Sequence, residues 1–431
     1  MMNDKKIKKL IVTTPQGESG GLHHEARYSF NYTTSNRESE VSLLMPIRAE
    51  SYAYGALHGV FAMNRPEGFL LQKIRDVFAK TGGLDDMKLL SITGGDQIGR
   101  LSYVDPVESC QKPARPQIGL QEMLKQKSTR ALFEFLVDTY FESGISGVQP
   151  KVMIPDAENP LPVNSKTTVA HSNLIVKAGG DEYPFLTQNE FLCMEAARRS
   201  GILVPNFWLS DDGGLFIMER FDLEGGEQSG FEDMSVLTGK QPDPEGQFKY
   251  QGSYENIAKA IQIYCRDAAI ESKQRLFEYV ALSIMVRNGD AHLKNFGLLY
   301  AHPISNTPPA LSPLYDVVTT TVYPHVNPRS GVSMVDRTMA LKLNKDRNYP
   351  SRRELMRFGA DVCHVPNPHE VMDKIAAAMS DTLRDHRERV DDKFFSMISA
   401  EWDAGRMSLE LPCVFVQSMN EDSQSSHVKM R

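Results

Sequence analysis

The stretch Asn288-Gly289-Asp290-Ala291-His292-Leu293-Lys294-Asn295 sets a carboxylate, an amide and two basic groups at close spacing. Gly289 can end a preceding helix and release the chain into a loop, leaving Asp290 placed to accept a hydroxyl proton. Asn295 can fold back and offer its amide oxygen to Mg²⁺, a hard cation that often takes only one or two protein oxygens. Lys294 or His292 then lies near a transferred negative charge. Downstream, Leu311-Ser312-Pro313-Leu314-Tyr315-Asp316 ends on a second carboxylate. A strand–turn–strand between the two stretches would return Asp316 to the side of Asn295. This is the chemistry of phosphoryl transfer from Mg-ATP, and the D-x-x-x-x-N spacing followed by Asp is that of protein kinases.

Two upstream pieces fit the same reaction. Gly144-Ile145-Ser146-Gly147-Val148-Gln149-Pro150-Lys151 can form a phosphate-covering loop, because glycine lets backbone N–H groups approach an anion. Lys177, ending a strand, is placed to reach the α/β-phosphates, and Glu190 on the next helix can hold that lysine by an ion pair. Each piece also has a plainer reading. Gly147 could mark an ordinary hairpin turn, Lys177 and Glu190 could be surface charges, Asp316 could cap a helix over 317–321, and His292 could be a hydrogen-bonded core residue. Their joint order favours a kinase: Gly loop, strand lysine, helix glutamate, strands, helical lobe, D-x-x-x-x-N, Asp. The pair His23-His24 makes no metal set, since adjacent side chains diverge and no further ligand is near. Lys342, Lys345, Arg347, Arg352 and Arg353 form a modest basic patch that could meet an acidic partner.

Leu10–Thr14, Tyr28–Tyr32 and Glu40–Met45 read as strands, with the glycines and polar residues of Gly17–Glu25 separating the first two. Pro66 opens a helix carrying Leu70, Ile74, Val77 and Phe78 on one face, closed by Gly82-Gly83. Leu101–Val104 reads as a strand and 105–116 as a linker, before a helix capped by Ser128 that runs to Tyr140. Residues 1–140 are therefore expected as a small α/β module. A β–β–α–β–β lobe follows over 141–222, with strands at Lys151 and 171–177, a helix over Asn189–Ser200, and two strands within Phe207–Phe221. Residues 223–418 form a mainly helical lobe, with helices over Ser272–Arg287, 351–359, 369–390 and 391–404. The last residues, 419–431, carry no packing pattern and are expected to be disordered. The expected class is α+β, a protein-kinase-like two-lobed fold with an added N-terminal subdomain.

The composition fits a globular protein. Of 431 residues 41% are hydrophobic and 24% charged, and the net charge of −7 makes the chain as a whole repel DNA and anionic membranes. Five scattered cysteines without a CxxC pair exclude a disulfide framework or zinc knuckle and suit a reducing compartment. The LIVTT run is too short for a signal peptide, and no apolar run approaches the roughly 18 residues of a membrane span. A cytoplasmic protein with no membrane partner is expected.

Several motifs in register, ISGVQPK, HSNLIVK, NEFLCMEAARRSGI, IMERFD, NGDAHLKNFGLLY, LSPLYDVVTT and MALKLNKDRNY, resemble the HipA family of bacterial Ser/Thr-kinase toxins. The resemblance runs from about residue 20 to 400, with SLLMPIRAESY and NRPEG in the N-terminal module. It implies Asp290 as catalytic base, Asn295 and Asp316 as Mg²⁺ ligands, and Lys177 as the ATP lysine. It further implies Gly147, Val148, Gln149 and Lys151 by the phosphates, with His292 and Lys294 near them. Glu219, Arg220 and Phe221 would be the hinge that takes adenine through backbone groups. The family phosphorylates a protein on Ser/Thr, aminoacyl-tRNA synthetases such as the glutamyl enzyme being the known target class, which slows translation and favours persistence. It also pairs with a HipB-like helix-turn-helix antitoxin that carries the complex to operator DNA, and it autophosphorylates a loop serine. Some relatives carry that serine where this chain has Gly144, so Ser146 is the first choice here and Ser143 the second. Two other classes compete: a non-catalytic co-repressor shaped like a kinase, against which the retained Lys177, Asp290, Asn295 and Asp316 speak, and a small-molecule kinase.

Overall fold

The computed structural model describes residues 6–78, 83–107, 118–126, 129–142, 144–147, 149–158, 172–224, 226–243, 245–326 and 331–413. Most of the expected linker, the Ser128 cap, Ser143, Val148 and the 419–431 tail lie outside the described residues.

The N-terminal part is a five-stranded antiparallel sheet of β1 (Lys9–Thr14), β2 (Gly17–His24), β3 (Tyr28–Tyr32), β4 (Tyr52–Tyr54) and β5 (Ser102–Val104), ordered β4-β3-β2-β1-β5. Helices α1 (Gly68–Phe78) and α2 (Asp86–Thr93) precede β5 in the chain, and Met87 and Leu90 of α2 join Leu10, Val12 and Leu22 in the core. Two expectations fail here. Gly17–Glu25 is no separator: most of it is β2, and Gly20 is forced by close packing, since a Cβ there would run into the Asn31 carbonyl of β3. Glu40–Met45 is no strand. Its polar groups serve side-chain contacts: Val41 N donates to the Tyr32 hydroxyl (3.0 Å), and Leu43 N donates to Glu232 (2.8 Å).

The small lobe runs α3 (Thr129–Tyr140), β6 (Lys151–Ile154), β7 (Leu174–Ala178), α4 (Leu186–Arg199), β8 (Phe207–Leu209) and β9 (Leu215–Glu219). Its antiparallel sheet is ordered β6-β7-β9-β8. Strand alternation decides what each face does. Val152, Ile154, Leu174, Val176, Leu215 and Ile217 meet Phe133, Leu136 and Val137 of α3 on the outer face. Lys151, Met153, Ile175 and Lys177 therefore face the other way, toward α4 and the space between the lobes. Helix α3 thus packs on the small-lobe sheet, although the sequence grouped it with the N-terminal module.

The large lobe comprises β10 (Gly230–Asp233), α5 (Tyr254–Tyr264), α6 (Ala269–Met285), β11 (Gly297–Tyr300), β12 (Ala310–Leu311), β13 (Thr338–Leu343), α7 (Pro368–Asp385) and α8 (Asp392–Met407), with further short helices and strands between, among them a helix over Arg352–Arg357. Helix α6 is buried on every side over 279–285 and sits at the centre, burying Leu276, Phe277, Val280 and Ile284. The N-terminal subdomain is fastened to both lobes by buried polar contacts. Glu232 of β10 accepts from Ser42 Oγ (2.7 Å) and Tyr300 Oη (2.5 Å) as well as Leu43 N. Arg220, after β9, pairs with Asp96 and Asp222 (both 2.8 Å) and donates to Gln97 O (2.6 Å), while Gly99 N donates to Asp222 (2.6 Å). The result is an α+β fold of the two-lobed, protein-kinase-like kind. Among the described residues no helix is long and apolar enough to cross a membrane.

Candidate active site

The loop after α6 is built by local hydrogen bonds. Gly289 N donates to Thr320 Oγ1 at 2.8 Å, and a Cβ at Gly289 would lie 2.7 Å from the Thr338 carbonyl, so only glycine fits this approach. Asp290 N donates to Asn288 Oδ1 (2.9 Å), which turns the Asp290 carboxylate outward into the interlobe cleft. There it is exposed and accepts a hydrogen bond from the Tyr250 hydroxyl at 2.8 Å. The antiparallel pair β11–β12 brings the downstream segment back, and Asn295 Nδ2 stands 3.2 Å from Asp316 Oδ2. Tyr315 Oη donates to Lys294 O (2.7 Å), tying the two segments together.

Strand β7 delivers the lysine. Lys177 Nζ lies 2.5 Å from Glu190 Oε1 and 2.7 Å from Asp316 Oδ1, with the Lys177 and Glu190 side chains only 3% and 0% exposed. Burial opposes its charge, but the two carboxylates outweigh burial and hold the ammonium protonated above the usual lysine range. Burial likewise opposes the charge on Asp316, yet Lys177 and Lys151 keep its carboxyl well below the usual carboxylate range. Lys151 sits opposite Lys177 in the β6–β7 register, and burial pulls it below the usual range. Helix α4 is locked to the Asp316 segment by Asn189, whose Nδ2 donates to Thr319 O (2.9 Å) while its Oδ1 accepts from Thr319 N (2.8 Å). Asp316 itself has φ 60, a left-handed conformation that Asp tolerates better than most residues. The short turn that follows starts at Thr320 with Thr319 as its cap, so Asp316 caps no helix.

The cleft measures about 1190 Å³ and is lined by Ser146, Gly147, Gln149, Lys151, Lys177, Asp290, His292, Lys294, Asn295 and Asp316. Its apolar end is made by Ile98, Ile145, Ile175, Met218, Phe231 and Phe221, the last stacked on Tyr315 with centroids 4.9 Å apart. Gly147, with φ +126, takes a backbone shape closed to side chains, and a Cβ there would collide with the Lys151 amine. His292 is buried against Tyr250, and burial lowers it to about 4, so it is neutral at physiological pH. Glu219 and Arg220 are not brought into the cleft. Glu219 N and Arg220 N are bonded to Asn206 O and Asn173 O, and the Arg220 side chain serves the subdomain clasp; Phe221 alone of the three lines the cleft.

The donor set suits Mg²⁺: an ionised carboxylate on Asp316 beside the Asn295 amide, both oxygen ligands of the hard type. Asn295 Oδ1 accepts from His292 N (3.0 Å), so the amide must turn for its oxygen to face an ion shared with Asp316. Sequence reasoning missed three residues of this site. Asn189 sits beside Glu190 in the motif NEFLCMEAARRSGI, which is the only local signal for it. Tyr250 comes from elsewhere in the chain and gave none, and Glu67 was covered only by the motif NRPEG, which assigned it no role. Glu67, from NRPEG, lies in the cleft 2.9 Å from Lys294.

Residues 143–386 match the family described as HipA-like C-terminal domain, and residues 10–104 match the HipA N-terminal domain. A Haemophilus influenzae protein named "Putative kinase" is 29% identical over 194 residues, 42% of this chain and 54% of that protein. The aligned stretch thus spans about half of that relative's length. A similarly named Sinorhizobium fredii protein is 25% identical over 368 residues, 80% of this chain and 82% of that one. Among solved structures, HipA from Shewanella oneidensis, determined in a toxin–antitoxin complex with HipB and operator DNA, aligns with a TM-score of 0.65. The identity there is 17%, over 93% of this chain and 96% of that one.

Proposed function

Because the chain belongs to the HipA family, we propose that it is an ATP-dependent serine/threonine-protein kinase and the toxin of a HipA/HipB-type module. The observation that carries this reading is Lys177 bridging Glu190 and Asp316, with Asn295 beside Asp316 and Asp290 facing the same cleft. Adenine occupies the apolar end between Ile175 and Met218 above and Phe231 and Tyr315 below, with its edge toward Phe221. Lys177 meets the α/β-phosphates. Asp290 takes the proton of the acceptor hydroxyl as that oxygen bonds to the γ-phosphorus, and the bond to the β–γ bridging oxygen breaks, leaving ADP with the electron pair. Asp316 and Asn295 would hold Mg²⁺, which when bound would neutralise charge on the phosphate oxygens. Gly147, Gln149 and Lys151 cover the phosphates from above.

The acceptors are a protein, an aminoacyl-tRNA synthetase such as the glutamyl enzyme being the first candidate, and Ser146 in the chain's own loop, with Ser143 second. A phosphate on Ser146 adds about −1.5 to −2 charge beside the ATP phosphates and silences the site by repulsion. The outcome is slowed translation and persistence. A HipB-like antitoxin carries the toxin to operator DNA and represses with it, consistent with a toxin whose own net charge is −7. Calorimetry with Mg-ATP, followed by γ-labelled ATP in a whole-cell extract, tests the reading. A labelled protein band is expected. Label confined to small molecules would make the chain a small-molecule kinase, and no binding of Mg-ATP would leave it a non-catalytic co-repressor.

A further inference from the structure

Glu67 belongs to the N-terminal subdomain, just ahead of α1, yet its carboxylate stands in the cleft between the lobes. Ser146 Oγ donates to Glu67 Oε1 at 3.0 Å, Lys294 Nζ donates to the same oxygen at 2.9 Å, and Lys294 also touches Ser146 Oγ. Three segments distant in sequence therefore share one carboxylate oxygen. The contact is not a loose surface pair: the Lys294 side chain is 12% exposed and that of Glu67 32%. A charge-assisted cluster this withdrawn from water holds its members in fixed positions. The same subdomain also grips the base of the loop, where Gly144 N donates to Asp96 O at 2.8 Å. The loop is thus fastened at Gly144 and again at Ser146, immediately before Gly147 with its φ of +126.

Neither motif reading nor family likeness gives Glu67 a part. The geometry does. We propose that Glu67 is a positioning residue that latches the Gly-rich loop, holding the Ser146 hydroxyl and the Lys294 ammonium on one carboxylate until an anion takes Lys294 away. While Glu67 holds Lys294, the ammonium is neutralised and is not available to a phosphate. An incoming γ-phosphoryl group must displace Glu67 from Lys294, and doing so removes one of the two holds on Ser146. Release of Ser146 as an acceptor is thereby coupled to filling of the phosphate site. The identity of the displacing anion rests on the phosphoryl-transfer reading; the latch itself does not.

The test uses full-length wild type, Glu67→Gln and Glu67→Ala, each checked for a cooperative melting transition. Hydrogen–deuterium exchange of peptides covering the loop from Gly144 to Ile154 is measured without nucleotide. The loop amides are expected to exchange about tenfold faster in Glu67→Gln, and faster still in Glu67→Ala, because a hold on the loop is weakened or gone. Mg-ATP is expected to bind about fivefold more tightly to Glu67→Gln, since a negative charge at the phosphate site is removed. Loop exchange within about twofold of wild type in Glu67→Gln would overturn the latch; should Glu67→Ala fail to fold, Glu67→Gln alone decides. Failure of wild type to bind Mg-ATP would instead refute the kinase reading, and the exchange result would still judge the latch.

Discussion

Replacing Glu190 by glutamine keeps the side-chain shape and removes one charge from the buried Lys177 cluster. The two groups lie 2.5 Å apart with almost no solvent exposure. At an effective permittivity near 20 the gross attraction is about 7 kcal/mol. Burying the Glu190 carboxylate offsets much of that, the more so because its Oε2 has no hydrogen-bond partner among the described residues. Breaking a buried pair costs about 3–5 kcal/mol, and the lower end applies here because Lys177 keeps Asp316 and can still donate to an amide oxygen. For a cooperative unit of roughly 200 residues, about 3 kcal/mol lowers the melting temperature by about 6–12 °C. Lys177 is then drawn wholly onto Asp316, away from the phosphates, and kcat/KM is expected to fall about 10²-fold, equivalent to about 2.7 kcal/mol. Differential scanning calorimetry and steady-state transfer of labelled phosphate measure both quantities. A melting temperature within about 2 °C of wild type together with kcat/KM within about threefold would refute the claim that Glu190 holds Lys177.

Three further outcomes follow from the same contacts. Asn189→Ala, which cuts both bonds between α4 and Thr319, is expected to destabilise the protein by about 1–3 kcal/mol, read by denaturant unfolding, and to lower kcat more than ATP affinity. Arg220→Ala leaves Asp96 and Asp222 facing each other without their cation and is expected to cost about 3–5 kcal/mol, with no loss beyond that of stability if Arg220 does not touch nucleotide. The third concerns acid. Burial would raise the Glu67 carboxyl, but the Lys294 charge and hydrogen bond win and hold it at about 2, against an ordinary 4.5. A lowered carboxyl stabilises the fold fully above pH 4.5 and loses that contribution as pH falls toward 2. With solvent screening of a side chain 32% exposed, the contribution is about 1–2 kcal/mol. Melting curves of wild type and Glu67→Gln should therefore converge between pH 4.5 and 2; parallel curves would sink this assignment.

What the sequence disclosed was whatever local spacing controls. Asp290 to Asn295 is one loop, and the hairpin that returns Asp316 is short, so their meeting could be read from order alone. The alternation in HSNLIVK put Leu174 and Val176 on one face, and the structure shows Lys177 on the other, against Glu190. Glu67 was invisible because it meets Lys294 across 227 residues of sequence, and no periodicity links a subdomain loop to a catalytic loop. β2 was misread because its composition answers to the close approach of β3 at Gly20, not to strand propensity. Glu40–Met45 was misread for the opposite reason: its apolar run imitates a strand, while its donors go to Tyr32 and Glu232. Of the expected hinge Glu219–Phe221 only Phe221 lines the cleft, and the Arg220 side chain is held by Asp96 and Asp222, a use its charge alone did not foretell.

In the proposed reaction Asp290 receives the acceptor proton during phosphoryl transfer from ATP. The initial rate of γ-phosphoryl transfer by Asp290→Asn at saturating Mg-ATP tests it most directly. A fall of about 10²–10⁴-fold is expected; a rate within about threefold of wild type would rule out this role for Asp290.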